Sequence, residues 1–276
     1  MNKPKRSVDD IIREVKSEFP FPDIFDSTAE TVKEIATVVQ VLKPEGGRLL
    51  DIGCGALDKT TVLQKMGYES FGCDDFQDPW HRQQKNLDPI LEYANKCGVQ
   101  VQVQGDDYVI PWDEGSFDVI LMVNVIEHLH ESPRKFLNSA GSYLREGGLF
   151  VVVMPNSVNL RKRLAVAMGR SNYTPARGFF ENDGVWRGHV REYTLRETSQ
   201  ILEWAGFDVL KRQTFHGMVK QRLGNPVLRL LFQAVCLPVP GFRDTLLVAA
   251  RKPVGWTPRQ PDIETMDQSL TDSWVT

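Results

Sequence analysis

The residues best suited to chemistry stand where an apolar run ends in an acid and two glycines. Leu49 and Leu50 lead into Asp51, and Gly53 and Gly55 follow. This pattern is typical of a turn that closes around a nucleotide-like ligand, because glycine accepts positive φ and has no Cβ to keep the ligand away. An acidic strand end then lies at the lip of an open α/β sheet, where such ligands bind.

The spacing around this turn discriminates between nucleotide-like ligands. The dinucleotide pattern G-x-G-x-x-G needs glycine at position 58, which is Asp58, and the chain contains no P-loop pattern. A carboxylate there would repel a pyrophosphate. An acidic lip suits a ligand that carries an ammonium group and a sulfonium instead, and Asp51 is placed to engage the ammonium directly or through water.

The elements that must position this turn alternate along the chain. Near-continuous apolar strands are predicted first, at 48–53, 69–74, 99–105, 117–125 and 149–154. Helices are predicted between and after them, at 60–66, 79–96, 133–144 and 194–205. Two further strands are predicted at 207–215 and 245–250. Alternation of this kind indicates an α/β fold with a parallel sheet covered on both faces.

Composition excludes several classes of protein. The 276 residues carry a net charge of −3, so no global basic field points to nucleic acid, and no nucleic-acid partner is predicted. The four cysteines form no CxxC pair, a pattern typical of reduced thiols and not of a metal site. The charged N-terminus and the absence of a long apolar run predict a cytoplasmic protein without a signal peptide or a spanning helix.

The ordered series of motifs resembles the class I S-adenosylmethionine-dependent methyltransferases, particularly their small-molecule branch. Asp51, Gly53 and Gly55 match the family's first motif, and Leu57 stands where its third glycine is expected. The resemblance implies a doubly wound, Rossmann-like, seven-stranded and mainly parallel sheet with helices on both faces. Its last strand, at 245–250, would be antiparallel between its neighbours. The resemblance also implies S-adenosyl-L-methionine as the cofactor.

The resemblance assigns further residues to cofactor binding. Asp74, at the end of the second strand, corresponds to the carboxylate that binds the ribose hydroxyls, with Asp75 as the alternative. Asp106 follows the third strand, where the family places a group near the adenine amine, and Asp107 lies beside it. Asn124, at the end of the fourth strand, is assigned to the cofactor as well.

Two histidines are candidate catalytic bases. His128 lies in the motif that the family places beside the methyl donor, and His189 lies in a His-x-Arg-x-Tyr segment on the acceptor side. A base is needed only when the acceptor must lose a proton, because transfer from a sulfonium depends mainly on alignment. Alternatively, Glu127 and His128 shape the pocket or bind a divalent cation. Without a further ligand nearby in sequence, no metal is predicted.

Arg191 and Tyr193 are the predicted substrate-binding residues. Arg191 would clamp a carboxylate or phosphate, or else form a surface salt bridge. The basic run 161–163 and the apolar segment 223–242 would pack over the sheet, with weak contact to a membrane surface as the alternative.

Three regions are predicted. Residues 1–44 form an N-terminal helical lid, residues 45–253 the methyltransferase domain, and residues 254–276 a disordered polar tail. The domain includes an acceptor-side segment at 156–193 and an insertion at 217–242.

The predicted activity is methyl transfer, by direct in-line O-methylation of a small-molecule or a glycan- or lipid-linked acceptor. The protein would be cytoplasmic, or peripheral at the inner membrane surface. The alternatives are a donor-binding partner subunit without catalysis and an NAD-dependent oxidoreductase. Asp58 counts against the latter. The sequence does not indicate an oligomeric state.

Overall fold

The computed structural model describes residues 6–104, 110–218, 223–263, 265 and 266. The predicted cofactor residues Asp106 and Asp107 lie outside this part of the chain. Within it, seven strands form one sheet in the order β3-β2-β1-β4-β5-β7-β6. The strands are β1 (Gly47–Ile52), β2 (Tyr68–Asp74), β3 (Gln100–Val103), β4 (Phe117–Val123), β5 (Leu144–Pro155), β6 (Asp208–Phe215) and β7 (Thr245–Arg251).

Helices connect and cover these strands. The described helices are α1 (Val8–Glu18), α2 (Pro22–Leu42), α3 (Asp58–Lys65), α4 (Pro79–Gln84), α5 (Leu87–Cys97), α6 (Pro133–Tyr143), α7 (Leu160–Ala167), α8 (Ala176–Phe180), α9 (Leu195–Trp204) and α10 (Pro226–Cys236). Over the described part of the chain, no helix has the length and the apolar character needed to cross a bilayer.

The sheet confirms the predicted fold. β1 to β5 pair in parallel, and β7 is antiparallel to both β5 and β6. The chain runs from β1 outward to β2 and β3, and then crosses to β4 and β5 on the other side of β1. The strand order therefore reverses between β1 and β4. Such a reversal opens a crevice at the carboxyl ends of the strands, where ligands of α/β proteins bind.

Each face of the sheet carries its own apolar layer. On one face, α1 and α2 bury residues such as Val15 and Ile35 against Leu49 and Val151. On the other face, α6 and α9 bury Leu137 and Leu202. Fully burying one such side chain contributes about 2 kcal/mol, so these two layers hold the strand ends in register.

Helix boundaries differ from the predictions where local geometry decides them. The sequence predicts a helix from Ser27 or Thr28 to Leu42, whereas α2 begins at Pro22, because proline fits the first turn of a helix. The helix predicted at 79–96 is two helices, since Lys85 adopts φ +53° and ends α4. The tail predicted to be disordered begins with defined contacts: Trp256 stacks on Phe207 and donates a hydrogen bond to the Ala205 carbonyl at 2.8 Å.

Candidate active site

The turn after β1 alternates residues with positive φ. Gly53 has φ +72°, and a Cβ there would lie 2.5 Å from the Val125 side chain. Gly55 has φ +54°, and Leu57 has φ +69°. Leu57 thus adopts the left-handed conformation expected of the motif's third glycine, at a cost on the order of 1 kcal/mol. Complete burial of its side chain offsets that cost, so the turn keeps its shape without the glycine.

Asp74 fastens this turn to the end of β2. One carboxylate oxygen accepts a hydrogen bond from the Gly55 amide at 2.9 Å, and the other accepts one from the Phe76 amide at 2.8 Å. Hydrogen bonds to an ionised acceptor are roughly twice as strong as neutral ones. Asp74 therefore organises the turn, and it also lines the main cavity.

Asp51 lies beneath the turn and is completely buried. Its carboxylate accepts a hydrogen bond from Thr60 Oγ1 at 2.5 Å and lies 3.4 Å from Lys59 Nζ. Burial raises the pKa of Asp51 to about 6, although Lys59 acts in the opposite direction. Asp51 does not line the cavity, whereas Asp58 and Lys59 do. Its contacts here fix the start of α3.

A cavity of about 840 Å³ opens at the strand reversal. This volume is within the range of small-molecule sites. Its lining includes the glycine turn, the ends of β2 and β4, the first turns of α2, residues 78, 80 and 81, residues 128–131, residues 185–187, and residues 217–218. Asn124, with φ +55°, is exposed at the end of β4 and lines the cavity.

His128 also lines the cavity, and its surroundings define its tautomer. Its Nδ1 lies 2.9 Å from the Arg187 carbonyl oxygen, which can only accept a hydrogen bond. Nδ1 therefore carries a proton, and the neutral ring keeps a lone pair on Nε2. Burial lowers the pKa of His128, and the neighbouring His189 lowers it further. A neutral imidazole with a bare Nε2 in a cavity can act as a general base.

His189 lies behind His128 and outside the cavity lining. The two rings are perpendicular, with centroids 4.8 Å apart, and His189 Nδ1 lies 2.8 Å from a Glu192 carboxylate oxygen. Burial alone would raise the pKa of Glu192, but hydrogen bonds from His189 and Lys162 lower it. His189 thus has a carboxylate partner, whereas His128 faces the cavity.

Glu127 is the residue that the sequence pairs with His128 in shaping the pocket or binding a divalent cation. It is fully buried, neither carboxylate oxygen has a hydrogen-bond partner, and burial raises its pKa to about 7. Glu127, His128 and His189 each bring one donor atom to within 4.8 Å of the others. The three residues could hold a metal ion. His189 is the third ligand that is missing near Glu127 and His128 in the sequence, and the fold brings it beside them.

The predicted substrate-binding residues lie away from the cavity lining. Arg191 is mostly exposed and pairs with Glu197 at 3.4 Å, and Tyr193 is buried below the Arg191 guanidinium. The arginine that lines the cavity is Arg187, whose guanidinium lies 2.6 Å from Asp75. In the sequence, Arg187 is marked only by its position between Trp186 and His189.

Comparison with known proteins places the chain in a family. A family model described as "Methyltransferase domain" matches residues 25–212, well over half of the chain. The chain belongs to this methyltransferase family. The predicted class of S-adenosylmethionine-dependent methyltransferase, its fold and its methyl donor are thereby confirmed.

The relatives include the ubiquinone biosynthesis O-methyltransferase of Caulobacter sp. (strain K31). It is 29% identical over 131 residues, which are 47% of this chain and 48% of that protein. The chain thus matches such relatives over about half of their length. Neither the partner-subunit nor the oxidoreductase alternative finds support among the comparisons.

Two solved structures show the same fold. The 1,6-didemethyltoxoflavin-N1-methyltransferase of Burkholderia thailandensis has a TM-score of 0.54 at 17% identity, over 92% of this chain and 93% of that one. An S-adenosylmethionine-dependent methyltransferase of Mesorhizobium loti has a TM-score of 0.53 at 22% identity, over 78% of this chain and 96% of that one.

Proposed function

We propose that this methyltransferase transfers a methyl group from S-adenosylmethionine to a hydroxyl oxygen of a small-molecule acceptor. The observation that carries this proposal is the orientation of His128, whose Nδ1 is committed to the Arg187 carbonyl. His128 lines the cavity that the glycine turn shares, and its Nε2 keeps the lone pair that would take a proton. An amine acceptor that is already neutral would not need such a base at the moment of transfer.

The chain's own residues would divide the work between donor and acceptor. When bound, S-adenosylmethionine supplies a methyl group activated by its sulfonium. Asp74 would accept hydrogen bonds from the ribose, while the backbone of Gly53 and Gly55 would pass closely around the donor. His128 Nε2 would take the hydroxyl proton as the methyl group passes from the donor sulfur to the acceptor oxygen, which would leave S-adenosylhomocysteine. Asp106 and Asp107 remain proposed adenine contacts.

Several contacts support a polar or anionic acceptor group at the cavity mouth. Two contacts hold Arg187 there. Nε2 of His130 lies 2.7 Å from the Trp186 carbonyl oxygen, and Nδ1 of His128 lies 2.9 Å from the Arg187 carbonyl oxygen. A guanidinium in that place suits a carboxylate, phosphate or sugar-like group. Apolar residues of the rim, Ile24, Val185 and Met218, would suit a lipid-linked acceptor. Arg191, Tyr193 and His189 remain proposals for the acceptor side.

The test is a paired measurement of donor binding and turnover. Calorimetry should detect S-adenosylmethionine binding, and assays of S-adenosylhomocysteine release should show turnover with phenolic or sugar hydroxyls. Neutral amines of similar size serve as matched controls and should react more slowly. Turnover restricted to amines would overturn the O-methylation proposal. Donor binding without turnover on any acceptor would instead point to a partner subunit without catalysis.

A further inference from the structure

The helix α10 has its polar and apolar faces reversed. Its outward face is apolar: Val227, Leu228, Leu230, Leu231 and Val235 are each 54% to 68% exposed. Its inward face carries the buried Cys236 and the half-buried Arg229, Phe232 and Gln233, so the only polar residues of the helix turn away from water. A helix on a water-exposed surface normally shows the opposite arrangement. The outward face of α10 therefore suits a partner less polar than water.

The helix α7 and the segment that follows it extend this apolar surface. Leu164, Val166 and Met168 are 52%, 55% and 63% exposed, and Phe180 of α8 is 83% exposed. Exposed apolar groups of this size rarely cluster on a protein without a binding role.

The two helices meet at one turn, Pro240–Phe242. The Arg163 guanidinium of α7 lies 5.7 Å from the centre of the Phe242 ring, and Asn156, just before α7, donates a hydrogen bond to the Gly241 carbonyl at 2.9 Å. This turn comes four residues after the end of α10 at Cys236. We name residues 157–180 and 223–243 the docking surface.

The charge of the docking surface is one-sided. These two stretches contain seven lysines and arginines and no acidic residue, although the chain has 36 acidic residues and a net charge of −3. Lys162 is buried against Glu192, and Arg177 pairs at 3.8 Å with Glu181, just beyond the first stretch. Arg163, Arg170 and Arg177 are exposed. A second copy of the chain docking face to face would bring cations against cations, which costs free energy. A partner with an apolar interior and a negatively charged boundary would match both the exposed apolar side chains and the arginines.

Both stretches of the docking surface lie close in the chain to residues that line the cavity. Residues 185–187 follow the first stretch, and Gly217 and Met218 precede the second.

We propose that the docking surface binds the face of an anionic lipid bilayer, with the outward side of α10 inserted among the acyl chains near the headgroups. Amphipathic helices with an apolar face and basic flanks bind membranes in this way. Each arginine near an anionic surface strengthens binding about five-fold, and the apolar side chains add the insertion itself. The proposal concerns binding alone and does not depend on the reaction at His128.

The test is co-sedimentation of the full chain with vesicles. Vesicles of phosphatidylcholine and phosphatidylglycerol in equal parts should capture the protein, and vesicles of phosphatidylcholine alone should not. The double variant Leu230→Asp and Leu231→Asp should lose at least ten-fold in binding. Arg170→Glu with Arg177→Glu should lose a similar factor. Val41→Asp, at a 67% exposed position of α2, is the matched control and should bind like the wild type.

Two further measurements make the result decisive. Calorimetric donor binding by the variants should equal that of the wild type, which establishes that they are folded, and Asp74→Ala should still bind vesicles. Equal binding to neutral and anionic vesicles, or no binding, would overturn the proposal. So would a concentration-dependent dimer that the Leu230 and Leu231 substitutions dissociate, since the surface would then join two copies of the chain.

Discussion

The proposed donor side and the proposed acceptor side of the cavity are built in different ways. On the donor side, the backbone turn after β1 and the Asp74 carboxylate meet through hydrogen bonds at the ends of neighbouring strands. On the acceptor side, His128 contacts Arg187, 59 residues further along the chain, and both are largely or partly exposed. The donor site is thus part of the sheet, whereas the acceptor site depends on segments that the sheet does not constrain. Donor binding and acceptor choice should therefore respond separately to mutation.

The largest expected effect separates the two sides at His128. His128→Ala should lower kcat for hydroxyl acceptors about 10³-fold, because general base catalysis contributes on that scale, while donor affinity stays the same. In the wild type, kcat/KM should rise with pH through a pKa below 6.5, since burial and His189 lower the pKa of His128. That limb should disappear in the variant.

His189→Ala is the matched comparison, and steady-state kinetics across pH provide the measurement. Because His189 lies behind His128, its loss should reduce kcat about ten-fold at most. A larger effect at His189 than at His128 would show that the base has been misassigned.

Glu127 should make the free energy of unfolding fall as the pH rises. Its pKa is raised from 4.5 to about 7 by burial. Below the lower value the group is protonated in both the folded and the unfolded chain. As the pH rises between the two values, only the unfolded chain ionises, so the free energy of unfolding falls by about 3 kcal/mol in total. Glu127→Gln should remove this fall.

Urea denaturation between pH 4 and pH 8 measures this difference. The free energy of unfolding of Glu127→Gln, relative to the wild type, should increase by about 3 kcal/mol over that range. Glu30→Gln, at an exposed position of α2, should follow the wild type. Parallel curves for Glu127→Gln and the wild type would mean that a partner or a bound cation keeps the carboxylate ionised.

A smaller effect is expected at Asp74, on the donor side. Asp74→Ala removes the acceptor of two backbone hydrogen bonds and the proposed ribose contact, which should weaken donor binding about 30-fold. Acceptor preference should not change among the molecules that still turn over. Asp75→Ala is the control in calorimetry and should change donor affinity less than three-fold. A larger loss of donor affinity in Asp75→Ala than in Asp74→Ala would show that Asp75 makes the ribose contact instead.

The smallest effect should lie at the cavity mouth. Arg187→Ala should raise the KM of an anionic acceptor about ten-fold without changing donor affinity, because an exposed guanidinium contributes modestly and is screened by salt. Arg191→Ala should change KM less than two-fold, since Arg191 pairs with Glu197 outside the cavity lining. Kinetics at low and high ionic strength check this ranking, and the reverse order would restore Arg191 as the clamp.

The sequence predicts the strands and the glycine turn of the proposed donor side well because their signals are local. A predicted strand ends at or just before each of Gly53, Gly55 and Asp74. The regular alternation of strands and helices predicts the sheet that aligns these strand ends. Leu57 shows the limit of a motif, because a leucine takes the conformation for which the pattern demands glycine.

The acceptor side is harder to predict because it is assembled by contacts between distant segments. Arg191 fits the motif, but it is Arg187 that lines the cavity. The hydrogen bond of His128 with the Arg187 carbonyl and that of His130 with the Trp186 carbonyl hold this segment in place. The burial of Glu127 beside His189 has the same origin. No local pattern encodes which of two nearby arginines a long loop will present.

The leucine at position 57 also gives the donor turn a connection to the rest of the molecule. Its side chain belongs to a small apolar cluster with Cys54, Ile90 and Ala94, the last two on α5. No described residue of α5 lines the cavity. Tightening of the turn around a ligand should nevertheless slow amide hydrogen exchange in α5. A glycine at position 57 would have no side chain in this cluster, so donor binding should then leave hydrogen exchange in α5 unchanged. With leucine at that position, donor binding should change the exchange.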